Sequence, residues 1–109
     1  MNLNNYKKSK KVNLFLLGIK GYEVLKFIIE QNYDSYIKMV IIGQDKNIDN
    51  DYSFEIKDLC QTKNLNFKIR DDLEKKIPDT EFSIAISWKW LIEKNNFLIV
   101  LHDSLLPKY

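Results

Sequence analysis

The chain's only histidine, His102, follows an apolar run from Phe97 to Leu101 and precedes a short polar stretch. An imidazole can gain or lose a proton near neutral pH, so His102 could stabilise a developing negative charge or move a proton. Open α/β sheets place their chemistry beyond the carboxyl ends of the strands, where a residue following an apolar strand would lie. The alternative is an ordinary strand exit at which the imidazole only satisfies a turn.

A second candidate cluster, Ser87 to Leu91, follows another apolar strand and contains both tryptophans of the chain. Because neighbouring side chains of an extended segment diverge, we expect one of Trp88 and Trp90 to line a pocket or a partner surface. The alternative is that both rings cap the hydrophobic core at the end of the sheet.

Two segments resemble the folate-dependent formyltransferases, the family of amino-sugar, methionyl-tRNA and glycinamide ribonucleotide formyltransferases. His-Asp-Ser-Leu-Leu-Pro-Lys-Tyr, residues 102–109, resembles the family's signature, and Ile-Ser-Trp-Lys-Trp-Leu-Ile, residues 86–92, is similar to its loop after the fourth strand. Together the two segments cover the last quarter of the chain.

The resemblance implies the transfer of a formyl group from 10-formyltetrahydrofolate to an amine, with His102 as the catalytic residue. The Trp-Lys-Trp and His-Asp-Ser sequences look nearer to the sugar-modifying enzymes, so the implied acceptor is an amino-sugar nucleotide. The implied folate-contacting residues are Ser87, Trp88, Lys89, Trp90, Leu91, Ser104, Leu105, Leu106 and Pro107.

The sequence departs from the family pattern in two ways. Val100 stands where the family has an asparagine, and the family's catalytic aspartate falls beyond Tyr109. We therefore expect residues 12–109 to form the N-terminal, folate-side part of a catalytic domain, which alone is inactive. The competing hypothesis is a non-catalytic Rossmann-like module that binds folate or a nucleotide.

Composition limits the possible classes of protein. A length of 109 residues with 45% hydrophobic content suits one domain. No apolar stretch approaches the roughly 20 residues of a membrane span and no secretory leader opens the chain, so we expect a cytoplasmic protein without a membrane partner. The formal charge is +2, and removing Lys7, Lys8, Lys10 and Lys11 leaves −2, which disfavours a nucleic-acid surface. Residues 1–11 are expected to form a flexible basic tail.

Other reactive side chains have structural interpretations. The single Cys60 is expected to be a packed thiol, and no metal-binding set is present. Asp71 and Glu74 are interpreted as caps of a short helix that Pro78 ends. Asp45 lies where a dinucleotide-binding fold has its ribose-binding acid, but the first turn is Gly-x-x-Gly and lacks the Gly-x-Gly-x-x-Gly pattern, which disfavours nicotinamide binding.

The fold class follows from the alternation of elements. Five apolar strands separated by four helical segments predict a parallel sheet with helices on both faces, an α/β Rossmann-like three-layer sandwich. The resemblance implies the strand order 3-2-1-4-5, so the loops after strands one, four and five should converge. The apolar fifth strand then lies at an exposed edge, and we expect the chain to form a homodimer through it.

Overall fold

A five-stranded sheet forms the centre of the computed structural model, which describes residues 8–92 and 97–102. The strands are β1 (Ser9–Leu16), β2 (Ile37–Ile42), β3 (Phe67–Ile69), β4 (Thr80–Ile86) and β5 (Phe97–Leu101). The helices are α1 (Gly18–Glu30), α2 (Ser53–Thr62) and a 3-10 turn at Asp34–Tyr36.

All pairings in the sheet are parallel, and the strand order is β3-β2-β1-β4-β5. β1 lies at the centre, where Leu14 is paired with Val40 of β2 and Ile84 of β4. Near-continuous apolar runs suit such central strands because both of their faces are covered. The predicted α/β fold class and strand order are confirmed.

Both α-helices pack on one face of the sheet. Leu25 of α1 and Ile56 and Cys60 of α2 are fully buried there against Leu14 and Val40. The connections β1–α1–β2 and β2–α2–β3 advance in the same direction across the sheet, so right-handed crossovers put both helices on the same side. This first face contains the larger part of the core.

The second face carries a smaller core without a helix among the described residues. Its buried members are Phe15, Leu17, Met39, Ile41, Ala85 and Trp88. The connection from β3 to β4 covers part of this face through Ile77. Asn13, fully buried in β1, donates a hydrogen bond from Nδ2 to the carbonyl of Pro78 at 2.9 Å, which ties the connection to the sheet.

The short helix expected around Asp71 to Ile77 is wrong, because this connection consists of turns. The Asp72 carboxylate accepts a hydrogen bond from the backbone N–H of Glu74 at 3.1 Å. Such a local side-chain contact competes with helix formation. The fourth of the expected helical segments was predicted at about residues 91–94. Residues 93–94 lie outside the described residues, and Leu91 and Ile92 are not helical.

The two ends of the sheet differ from expectation in one boundary and agree in exposure. β1 begins at Ser9, so residues 9–11, which composition placed in the tail, belong to the strand. β5 is an edge strand of the sheet formed by the described residues, and its five side chains are between 39% and 74% exposed. Within the part of the chain that the structure describes, neither helix has the length and apolar character to cross a bilayer.

Candidate functional site

A cavity of about 440 Å³ opens at the carboxyl ends of β1, β2 and β4. This is the point where the strand order reverses direction, between β1 and β4, and ligands of open α/β sheets bind there. The lining residues are Leu17, Gly18, Ile19, Lys20, Asp45, Asn47, Ile48, Asn50, Ser87 and Lys89. The predicted convergence of the loops after the first and fourth strands is therefore confirmed.

Gly18, the first residue of α1, lines this cavity. Its φ is +77°, and no heavy atom lies within 4 Å of the position that a Cβ would take. The Gly18 N–H donates to the carbonyl of Asp51 at 2.9 Å, which joins the loop after β1 to the start of α2. Glycine is needed here for its backbone conformation, since side-chain space is not limiting.

The loop after β2 is fixed by two carboxylates. Asp45 accepts the N–H of Asn47 at 2.9 Å, while its own N–H donates to Asp51 at 2.8 Å. The other oxygen of Asp51 accepts the N–H of Ser53 at 2.9 Å, at the beginning of α2. These short-range bonds give the 45–53 segment a defined shape, as expected for aspartates in turns.

Lys89 connects this loop to the loop after β4. Its Nζ lies 2.5 Å from Oδ2 of Asp45, and the two side chains are 50% and 8% exposed, respectively. The pair therefore spans the cavity wall between the loops after β2 and β4.

The two carboxylates of the cavity wall favour their charged forms. The hydrogen bond from Lys89, followed by that from the Asn47 N–H, lowers the pKa of Asp45. Burial alone would raise the pKa of Asp51, but the hydrogen bonds from Ser53 and Asp45 outweigh it, and the pKa is lowered. Both groups are therefore ionised at neutral pH.

The two tryptophans lie on the opposite side of the same loop. The rings of Trp88 and Trp90 meet edge to face with centroids 5.0 Å apart, and Trp88 meets Phe15 at 5.3 Å. A Cβ on Gly43 would lie 2.8 Å from Trp90 and 3.0 Å from Trp88, so this glycine allows both rings to close over the strand end. The guanidinium carbon of Arg70 is 4.1 Å from the Trp90 centroid.

The expectation that the tryptophans diverge is wrong, because residues two apart in an extended segment share a side. Both rings pack on the second core, which was the alternative interpretation. Trp88 also borders a smaller cavity of about 280 Å³, whose other lining residues are Phe15, Ile41, Arg70, Ile77, Leu91 and Ile92. The loop thus has a polar cavity on one side and an apolar one on the other.

Ser87 connects β4 to this loop. Its φ of 56° lies in the left-handed region, and its buried Oγ has no hydrogen-bond partner among the described residues. The Ser87 N–H donates to the carbonyl of Leu101 at 2.8 Å. This bond places His102, the next residue after Leu101, beside the 87–92 loop.

The remaining predicted residues have different environments. The His102 side chain is exposed and does not line the larger cavity, and Leu91 is 84% exposed. Ser104, Leu105, Leu106 and Pro107 lie outside the described residues. Cys60 is fully buried, and burial raises the pKa of its thiol to about 12, as a packed thiol requires.

The Asp45–Lys89 pair was not predicted. Asp45 was considered only as a ribose-binding acid and Lys89 only as a folate contact, and the two residues are 44 positions apart in the sequence. The available signal was topological, because charged residues of opposite sign follow two strands that flank β1. No group of three metal-binding side chains was found among the described residues.

No protein-family model, curated protein or solved structure matches this chain.

Proposed function

We propose that this chain is the folate-binding part of an amine formyltransferase that uses 10-formyltetrahydrofolate. The observation that carries the proposal is the bond from the Ser87 N–H to the Leu101 carbonyl, which brings His102 next to the 87–92 loop. These two elements carry the residues that resemble the family's catalytic histidine and pterin loop. They lie at the strand ends where ligands of such sheets bind.

The dimensions of the site support a ligand of this size. The 87–92 loop borders both cavities, and the larger one, at about 440 Å³, falls within the usual range for small-molecule pockets. A planar aromatic pterin suits the apolar side of the loop, where Trp88 and Leu91 border the smaller cavity of about 280 Å³, while Ser87 and Lys89 border the larger one. Ser87, Trp88, Lys89, Trp90 and Leu91 remain the proposed contacts.

The proposed chemistry is amide formation, for which the folate supplies the formyl carbon. The acceptor nitrogen attacks that carbon, a new C–N bond forms, and the bond to N10 breaks while a proton moves from the acceptor nitrogen to N10. In this proposal His102 donates a hydrogen bond to the oxygen that becomes negative, a contact worth roughly 3 to 4 kcal/mol in other enzymes. We place the reaction in the cytoplasm and take an amino-sugar nucleotide as the acceptor.

A nucleotide-binding module is the second candidate, and the open space above Gly18 beside Asp45 favours it. A ribose hydroxyl would have to replace Lys89, because both oxygens of Asp45 are already engaged. That displacement makes the module less favourable than the folate site.

Thermal shift measurements separate the two candidates. The full chain is titrated with 10-formyltetrahydrofolate, NAD and a dTDP-linked amino sugar, each to high concentration, since stabilisation grows with the logarithm of ligand concentration. We expect a rise in Tm with the folate and none with NAD, and the His102→Ala variant should keep this rise. Stabilisation by a nucleotide without any by the folate would support the binding module instead.

Turnover is tested separately. We expect no measurable formyl transfer to a dTDP-linked amino sugar by the 109-residue chain, because Val100 offers no hydrogen bond where the family has asparagine and catalytic groups act as a unit. Transfer at an ordinary rate would show that residues already present supply the missing roles.

A further inference from the structure

Asp45 and Lys89 hold the 87–92 loop on the side opposite the tryptophans. Lys89 lies between Trp88 and Trp90 in sequence, so its side chain leaves the loop on the other side. Its ammonium group forms an ion pair with the Asp45 carboxylate. The loop is therefore held from both sides, by a charged contact and by ring packing.

Asp45 is the fixed member of this pair. Its side chain is 8% exposed, its second oxygen accepts the Asn47 N–H, and its own N–H is bound to Asp51. Lys89 is 50% exposed, and among the described residues its ammonium group is bonded to Asp45. The position of Asp45 is therefore fixed by its own loop, and the contact with Lys89 fixes the 87–92 loop relative to it.

The backbone conformation of Ser87 depends on the contacts of the loop that follows it. A residue other than glycine with a φ of 56° persists only where the surroundings determine its conformation. On one side the Ser87 N–H is bound to Leu101, and two residues further on Lys89 is bound to Asp45. Release of Lys89 leaves the turn held by the Ser87 N–H bond and by the packing of the two rings alone.

We propose that Asp45 is a positioning residue, which acts through Lys89 to set the conformation of the 87–92 loop and the orientation of its two tryptophans. Neither residue needs to react with a substrate. The effect on folate binding rests on the proposed function, whereas the effect on the loop itself does not.

The test uses the fact that the chain's only two tryptophans flank Lys89. Asp45→Asn, Lys89→Met and the double variant are compared by near-UV circular dichroism and by acrylamide quenching of tryptophan fluorescence. The matched controls are Asp49→Asn and Lys46→Met, exposed residues of the loop after β2 with the same charge changes. Far-UV circular dichroism verifies that every variant is folded. Lys89→Met is the variant least expected to disturb folding, because it changes a half-exposed side chain.

We expect both single variants to lose the near-UV signal of the tryptophan pair and to be quenched more strongly, with no further change in the double variant, because both lose one contact. The controls should match the unmodified chain. Tryptophan spectra of Lys89→Met that match the unmodified chain, or additive effects in the double variant, would overturn the proposal.

Folate titrations add a second readout. If the folate binds, Asp45→Asn and Lys89→Met should weaken it about fivefold, at the lower end of typical coupling between sites. Equal affinity would contradict the positioning role. Absence of folate binding by the unmodified chain would count against the proposed function alone, since the spectra still decide whether Asp45 positions the loop.

Discussion

At Gly18 the effect of backbone conformation on stability can be measured separately from side-chain clashes. Its φ is +77°, and an added Cβ would meet no atom within 4 Å. We expect Gly18→Ala to lower the free energy of unfolding by about 1–2 kcal/mol, the cost of a left-handed L-residue, without any steric clash. Urea unfolding measures this loss. Lys20→Ala, in the first turn of the same helix, should change the value by less than about 0.5 kcal/mol, and equal losses in both variants would refute the conformational explanation.

Acid provides a residue-scale test of the Asp45 contact. The pKa of Asp45 is lowered by Lys89 first and by the Asn47 N–H second. The other charged group in contact with this residue is the Asp51 carboxylate, which accepts the backbone N–H of Asp45. Since the folded pKa lies below the ordinary value of 3.8, the stabilisation is complete above that value and is lost as the pH falls through the lowered pKa.

We therefore expect the tryptophan emission of the unmodified chain to stay constant from neutral pH down to about that value and to change below it. Asp45→Asn, which has no carboxylate to protonate, should already show the altered emission at neutral pH. A transition of the unmodified chain well above pH 3.8 would contradict the lowered pKa.

At this scale the sequence predicted environments better than contacts. Burial of Cys60 followed from its place on an apolar helix face, and the structure confirms it. The Asp45–Lys89 contact could not be predicted, because it depends on the relative positions of two loops from strands on either side of β1. The same holds for the bond from Asn13 to Pro78, which joins residues 65 positions apart.

At the scale of elements, β5 is the least protected strand. Phe97 to Leu101 contains no charge, its side chains are exposed on both faces, and no strand of residues 8–92 pairs with its outer edge. Unpaired strand edges bind other strands, so we expect the chain to self-associate through β5. Ile99→Lys should shift the chain towards monomer in light scattering at high protein concentration.

Phe54→Lys is the matched control for that experiment. Phe54 is 76% exposed on α2, so the substitution adds the same charge and removes a similar apolar surface away from the sheet edge. We expect its self-association to remain as in the unmodified chain. Equal loss of association in both variants would indicate a general effect of charge, and a monomeric unmodified chain would remove the edge hypothesis.

Elements were predictable where hydrophobic periodicity was strong. All five strands and both α-helices coincide with apolar patterns in the sequence. The helix expected after Asp71 failed because the pattern at Leu73 and Ile77 resembled a helical face, whereas Leu73 is 90% exposed and Asp72 bonds its own turn. Local side-chain bonds of this kind carry no periodic signal.

At the scale of the whole molecule, Cys60 reports opening of the larger core. It is the only cysteine, it is fully buried on the sheet-facing side of α2, and burial raises the pKa of its thiol to about 12. Only the thiolate reacts with disulfide reagents, so we expect labelling at mildly alkaline pH to be about a thousandfold slower than in urea-unfolded chain. Similar rates in both states would show that α2 opens freely.

The fold class was predictable because alternating strands and helices leave few topologies, given short connections and right-handed crossovers. The distribution of helices between the faces was not. The expected helices on both faces required a helix between β3 and β4, and the described connection has none. The second face is closed instead by Ile77 and the tryptophans, a solution that depends on Gly43 being small.

The order of the strands along the chain has a kinetic consequence. The elements from β1 to β3 are consecutive in sequence and pack against one another, whereas Leu14 of β1 pairs with Ile84 of β4, 70 positions further along the chain. Closing so long a loop costs chain entropy before the contacts between the two strands form, so this pairing is slow. We therefore expect the segment from β1 to β3 to assemble first and to act as the template on which β4, and then β5, dock.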